Sequence, residues 1–87
     1  MTENRYTRDP NLIVYYGVTW CPDCSRAKHV LKKSNVEFLD INIDQDEQGA
    51  DFVKEVNGGN RSVPTIIFPD GTILVEPSNK ELSTKLK

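Results

Sequence analysis

Cys21 and Cys24, separated only by Pro22 and Asp23, are the residues of this chain best suited to chemistry. Two thiols that close can exchange with a disulfide, one attacking and the other displacing the mixed disulfide that results. They can also bind a metal or form a structural bridge. A bridge is the weaker reading, because so small a loop constrains little of the unfolded chain. A zinc site needs four ligands, and His29 is the single histidine. It follows Cys24 by five residues, about 140° around a helix, so it is expected on the surface and no metal site is expected.

The elements around the pair decide in favour of exchange. Leu12 to Tyr16 is an unbroken apolar, β-prone run that fits a strand covered on both faces. After the loop from Gly17 to Trp20, Pro22 occupies a first helical position, and Cys24, Ala27 and Leu31 recur with helical spacing. A helix from about Pro22 to Asn35 therefore begins at the cysteines, the strand-to-helix junction in which a close pair reads as a redox motif. The N-H groups and dipole of that terminus favour a thiolate just outside it. Cys21 is thus expected to attack and Cys24, one turn inside, to resolve. Asp23 sets a negative charge against the dipole.

Residues 36–43 read as a second strand with Leu39, Ile41 and Ile43 on one face, giving a right-handed parallel crossover. Asp44, with Glu47 three residues on, is expected to cap a second helix whose inner face carries Gly49, Phe52, Val53 and Val56. That helix should end at Asn57-Gly58-Gly59. Residues 65–68 and 72–75 flank Pro69-Asp70-Gly71 and predict an antiparallel hairpin. Ser78 and Glu81 form a capping box for a last helix with Leu82 and Leu86 on one face. The order βαβαββα implies an α/β fold, a four-stranded mixed sheet flanked by three helices.

At 87 residues the chain holds one domain, divided here into a short polar lead, 1–10, and a domain, 11–87. Its net charge is -2 with Lys and Arg scattered among acids, so nucleic acid is not an expected partner. No apolar stretch is long enough for a bilayer, and Met1 to Pro10 has no signal-peptide core behind it. The expectation is a cytoplasmic monomer without a membrane partner, where reducing thiol pools make a close pair more often catalytic, redox sensing or metal binding than a structural bridge.

Taken together, these residues resemble the glutaredoxin group of the thioredoxin superfamily from Leu12 to Leu86. Trp20-Cys21-Pro22-Asp23-Cys24 with Ser25-Arg26-Ala27-Lys28 resembles the start of the glutaredoxin active-site helix, and Ser62-Val63-Pro64 the family's Thr-Val-Pro segment. The resemblance implies a thioredoxin-like fold, a nucleophile at Cys21, a resolver at Cys24, and a cis proline at Pro64. A cis bond would turn the backbone of Val63 outward to pair with an extended substrate. Residues 56–65 and Glu76-Pro77-Ser78 are most similar to mycoredoxins, the actinobacterial branch that reduces mixed disulfides with mycothiol. The Gly-Gly pair of glutathione-using members is replaced by Val75-Glu76-Pro77, and the loop Gly17-Val18-Thr19 lacks their basic residue. Arg61, and less so Lys28, are expected to take the carboxylate of a thiol co-substrate, although as surface charges they need no function. Trp20 is either a contact surface for partners or a cover for the core edge.

The leading expectation is thus a thiol-disulfide oxidoreductase acting on disulfide-containing or S-thiolated proteins. Its co-substrate would be a low-molecular-weight thiol such as mycothiol or glutathione, with no tightly bound cofactor. A thioredoxin-like protein recycled by a flavoprotein reductase is the alternative, which Asp23 and the missing Gly-Gly keep open. An iron-sulfur carrier is a third, and Pro22 speaks against it, since cluster-holding members of the resembled family usually lack proline there.

Overall fold

The computed structural model describes residues 11–86. The elements run β1 (Ile13–Gly17), α1 (Pro22–Lys33), β2 (Phe38–Asn42), α2 (Glu47–Val56), β3 (Thr65–Ile67), β4 (Ile73–Val75) and α3 (Asn79–Leu86). The strands form one sheet in the order β2-β1-β3-β4. β1 pairs parallel with β2 and antiparallel with β3, and β3 pairs antiparallel with β4. This is the mixed βαβαββα architecture expected.

Every residue of β1 is buried, because side chains of a strand alternate between faces and both faces are covered. Tyr15 turns toward α1, where its hydroxyl donates to the carbonyl of Cys24 at 3.1 Å. Tyr16 turns the other way, its ring 4.8 Å from that of Phe52 in α2. Gly49 lets α2 approach closely, since a Cβ there would lie 3.0 Å from Cγ2 of Ile41. α1 and α3 pack together, and α1 buries Cys24, Ala27 and Leu31, the positions its periodicity marks.

Several boundaries differ from expectation. α1 stops at Lys33, short of the expected Asn35, which takes a left-handed φ of 60° just beyond the helix, a conformation that asparagine tolerates well. β2 is shorter than residues 36–43; Ile41 and Ile43 are buried, but Leu39 only in part. Ile43 lies past the strand, its N-H donating to the carbonyl of Gly17 at 3.0 Å. The cap of α2 is Asp46, not Asp44: Oδ1 of Asp46 accepts from the amide of Gly49 at 2.8 Å. Asp44 is engaged elsewhere. The capping box of α3 forms as expected, Ser78 N donating to Glu81 Oε1 at 2.9 Å and Glu81 N to Ser78 Oγ at 3.1 Å. Gly58 and Gly59 end α2 with φ of 66° and 102°.

Candidate active site

Cys21 is the N-cap of α1, in extended conformation, with Pro22 at the first helical position and Asp23 in the first turn. Proline there sacrifices no hydrogen bond, since the first amides of a helix have no partner within it. The amide of Cys24 donates to Sγ of Cys21 at 3.3 Å. Both cysteines are free thiols; Cys21 is partly exposed and Cys24 is buried. Burial, with the neighbouring Cys21, pushes the Cys24 thiol up to about 11, and the Val18 backbone and the Tyr15 hydroxyl offset this in part. Burial first, and then Cys24, also push the Tyr15 phenol upward, so at neutral pH it is a neutral donor. The pair is asymmetric, with one sulfur at the surface under an N-H and a protonated one behind it.

The segment Ser62-Val63-Pro64 enters β3, whose Thr65 is in register with Tyr16 at the end of β1 that leads to Cys21. It thus stands at the same end of the sheet as the thiols. The Val63-Pro64 bond is cis, as the resemblance implied. The carbonyl of Pro64 accepts from the amide of Glu76 at 2.8 Å. Behind the segment, the buried hydroxyl of Thr65 donates to the carbonyl of Ser62 at 2.7 Å and accepts from Asn57 Nδ2 at 3.3 Å. Asn57 also donates to the carbonyl of Val53 at 2.8 Å, which anchors the segment to α2.

The other charged and polar site residues are held by hydrogen bonds and ion pairs. Trp20 is 70% exposed, so it does not cover the core edge. Its Nε1 donates to Asp44 Oδ2 at 2.9 Å, and Arg61 Nη2 donates to Asp44 Oδ1 at 2.8 Å. The Arg61 hydrogen bond, and then that of Trp20, hold the Asp44 carboxyl below the usual range. Asp23 pairs with Arg26 at 3.3 Å, and Arg26 reaches on to Asn79 Oδ1 at 2.7 Å. Arg26 thereby joins the first turn of α1 to the start of α3. Lys28 pairs with Asp40 at 2.8 Å and lies over the Tyr15 ring. His29 is exposed.

Tyr15, Arg26 and Asp44 are parts of the site that sequence reasoning did not single out. Arg26 had a local signal, standing one turn after Asp23. The others had none, since their partners are distant in the chain. Among the described residues, no three His, Cys, Asp or Glu side chains are grouped to hold a metal, and no helix is long and apolar enough to cross a membrane.

A close thiol pair at the head of a helix, at the same end of a βαβαββα sheet as a cis proline, defines a thioredoxin-like thiol-disulfide oxidoreductase. The glutaredoxin family model matches residues 13–73. Mycoredoxin 1 of Corynebacterium glutamicum is 36% identical over 75 residues, covering 86% of this chain and 92% of that protein. A Mycobacterium tuberculosis protein provisionally named a glutaredoxin is 39% identical over 74 residues, covering 85% and 88%. Among solved structures, the glutaredoxin of Archaeoglobus fulgidus superposes with a TM-score of 0.71 at 28% identity, covering 95% of this chain and 94% of that one. A thioredoxin-like protein at 24% identity shares the fold, with a TM-score of 0.73 and coverage of 86% and 99%. The chain belongs to the glutaredoxin family.

Proposed function

We propose that this glutaredoxin reduces disulfides and mixed disulfides through Cys21 as nucleophile and Cys24 as resolver, with a small thiol as the terminal reductant. The observation that carries the reading is the asymmetry of the pair: Cys21 caps α1 at the surface with the Cys24 amide aimed at its sulfur, and the Cys24 thiol is buried behind it. In the first step, the sulfur of Cys21, as thiolate, attacks one sulfur of a substrate disulfide. A bond forms between Cys21 and that sulfur, the substrate bond breaks, and the other half leaves as thiolate.

In the second step, Cys24 gives up its proton and attacks Sγ of Cys21. The Cys21-Cys24 disulfide forms, and the bound half leaves as a thiolate that takes up a proton. The substrate has gained two electrons and the protein has lost them. Two small thiols return them, leaving as their own disulfide. With S-thiolated proteins a small thiol can do the work of Cys24, so Cys24→Ser retains activity toward mixed disulfides of that thiol.

In this reading Val63, turned by the cis bond to Pro64, presents its backbone to the substrate, Trp20 offers it an exposed aromatic face, and Pro22 and Asp23 shape the first turn of α1. The working unit is residues 11–87, acting as a monomer in a reducing cytoplasm. The likeness to mycoredoxin 1 favours mycothiol over glutathione as co-substrate.

A second reading is recycling by a flavoprotein reductase. It is favoured by the pairing of Arg61 with Asp44 and of Lys28 with Asp40, which engages both cations expected to hold a co-substrate carboxylate. Stopped-flow reduction of the oxidised protein by mycothiol, by glutathione and by a thioredoxin reductase with NADPH separates the two. The first reading expects mycothiol to be fastest; a rate with the reductase that exceeds both thiols establishes the second.

A further inference from the structure

Asp44 follows β2 and does not cap α2, although its spacing to Glu47 suits a cap. Its amide donates to Asn42 Oδ1 at 2.9 Å, which fixes the residue in a tight turn. From there one carboxylate oxygen takes the guanidinium of Arg61 and the other the indole N-H of Trp20, at 2.8 and 2.9 Å. Trp20 precedes Cys21, and Arg61 stands three residues before Pro64. A single ionised side chain therefore spans the mouth of the site, from the loop that carries the exposed thiol to the loop that carries the platform.

We infer that Asp44 is a specificity-determining residue that selects against thiol co-substrates bearing a carboxylate near the reacting sulfur, by occupying Arg61. This rests on the reading of Cys21 as nucleophile. Arg61 gives Asp44 one N-H and is part-exposed, so an anionic thiol approaching Cys21 must share its guanidinium with a carboxylate that repels it at short range. A thiol without a carboxylate, or one whose polar groups are hydroxyls, meets no such competition. It approaches a site whose local charge is already balanced, with the indole of Trp20 held in place as one wall. The groups involved are exposed and partly screened by salt, so the discrimination is modest and largest at low ionic strength.

The test compares the wild type with Asp44→Asn, with Asp44→Asn/Arg61→Gln and with Asp44→Glu, at low salt. Reduction of the oxidised protein is followed with glutathione, which bears two carboxylates, and with the neutral 2-mercaptoethanol. Asp44→Asn should raise the ratio of kcat/KM for glutathione to that for 2-mercaptoethanol about three- to fivefold, the size an exposed ion pair supports. The change should come through KM, disappear in the double variant and shrink at high salt. Asp44→Glu should restore much of the wild-type ratio. An unchanged ratio, or a gain that survives loss of Arg61, overturns the inference. Binding of S-methylglutathione, which cannot exchange, is measured in parallel by chemical-shift titration. It should be at least about threefold tighter to Asp44→Asn, and equal binding also overturns the inference. If neither thiol reduces any of the proteins while that binding difference is present, the functional reading fails and the role of Asp44 in anion selection stands.

Discussion

The hydroxyl of Tyr15, buried in the middle of the sheet, donates to the backbone carbonyl of Cys24, nine residues on and in a different element. The bond ties the resolving position of the helix to the central strand. It also sets a neutral hydrogen-bond donor beside a buried sulfur, where charge must appear during exchange. The Tyr15 hydroxyl pulls the Cys24 thiol partly back toward its ordinary range.

Tyr15→Phe removes that donor and little else. The fold should lose about 1 kcal/mol, the usual net worth of such a bond, read as a lower urea midpoint with an unchanged slope. Deprotonation of Cys24 should become harder, so the mixed disulfide at Cys21 should persist severalfold longer before release. A variant that is less stable but resolves at the wild-type rate would confine Tyr15 to a structural role.

Gly17→Ala should disturb the same contact. A Cβ at Gly17 would overlap the Tyr15 hydroxyl and lie 2.6 Å from Cζ of its ring, so the ring must move off Cys24 or the strand must bend. The cost should be about 1–3 kcal/mol, as for other overpacked interiors. Tyr15→Leu should recover part of it, because the offending ring is gone. Additive losses in the double variant would show that the strain lies elsewhere.

Stability of the reduced protein should fall between about pH 9 and pH 11. The Cys24 thiol is raised from 9.0 to about 11 by burial, so over that window the folded state binds a proton that the unfolded state has released. Stability from the neutral thiol is complete below the unfolded value and is lost as pH rises through the folded one. The oxidised protein has no thiol at that position and lacks this component. Thermal melts of both forms across the window check it: the Tm of the reduced protein should fall relative to that of the oxidised protein as pH rises, and a constant difference would contradict it.

The fold was legible in the sequence wherever the interactions that set it are local. Ser78 and Glu81 are three residues apart and cap each other, and Gly58 and Gly59 relieve the left-handed end of α2. Cys24, Ala27 and Leu31 mark a buried stripe that needs no knowledge of what covers it. Element ends aside, the failures occur where a residue has a distant partner. Asp44 satisfies the spacing of a cap, but its oxygens are taken by Trp20, 24 residues away, and Arg61, 17 away. The next acidic residue with a free amide in reach, Asp46, caps the helix instead. Tyr15 reads as one more apolar residue of a buried strand, and only the packing of α1 across the sheet gives its hydroxyl a partner. Lys28 could be placed on the helix, but its direction was fixed by Asp40 on the neighbouring strand.

The unequal roles of the two cysteines are tested most directly by challenging Cys21→Ser and Cys24→Ser with one mixed-disulfide substrate and weighing the products by intact-mass spectrometry without reductant. Cys24→Ser should gain the mass of the transferred half at Cys21, stoichiometrically and within the dead time of mixing, because the exposed sulfur still attacks and nothing resolves it. Cys21→Ser should remain unmodified, its one thiol buried and protonated. Rapid modification of Cys21→Ser at Cys24, with Cys24→Ser left unmodified, would contradict the mechanism.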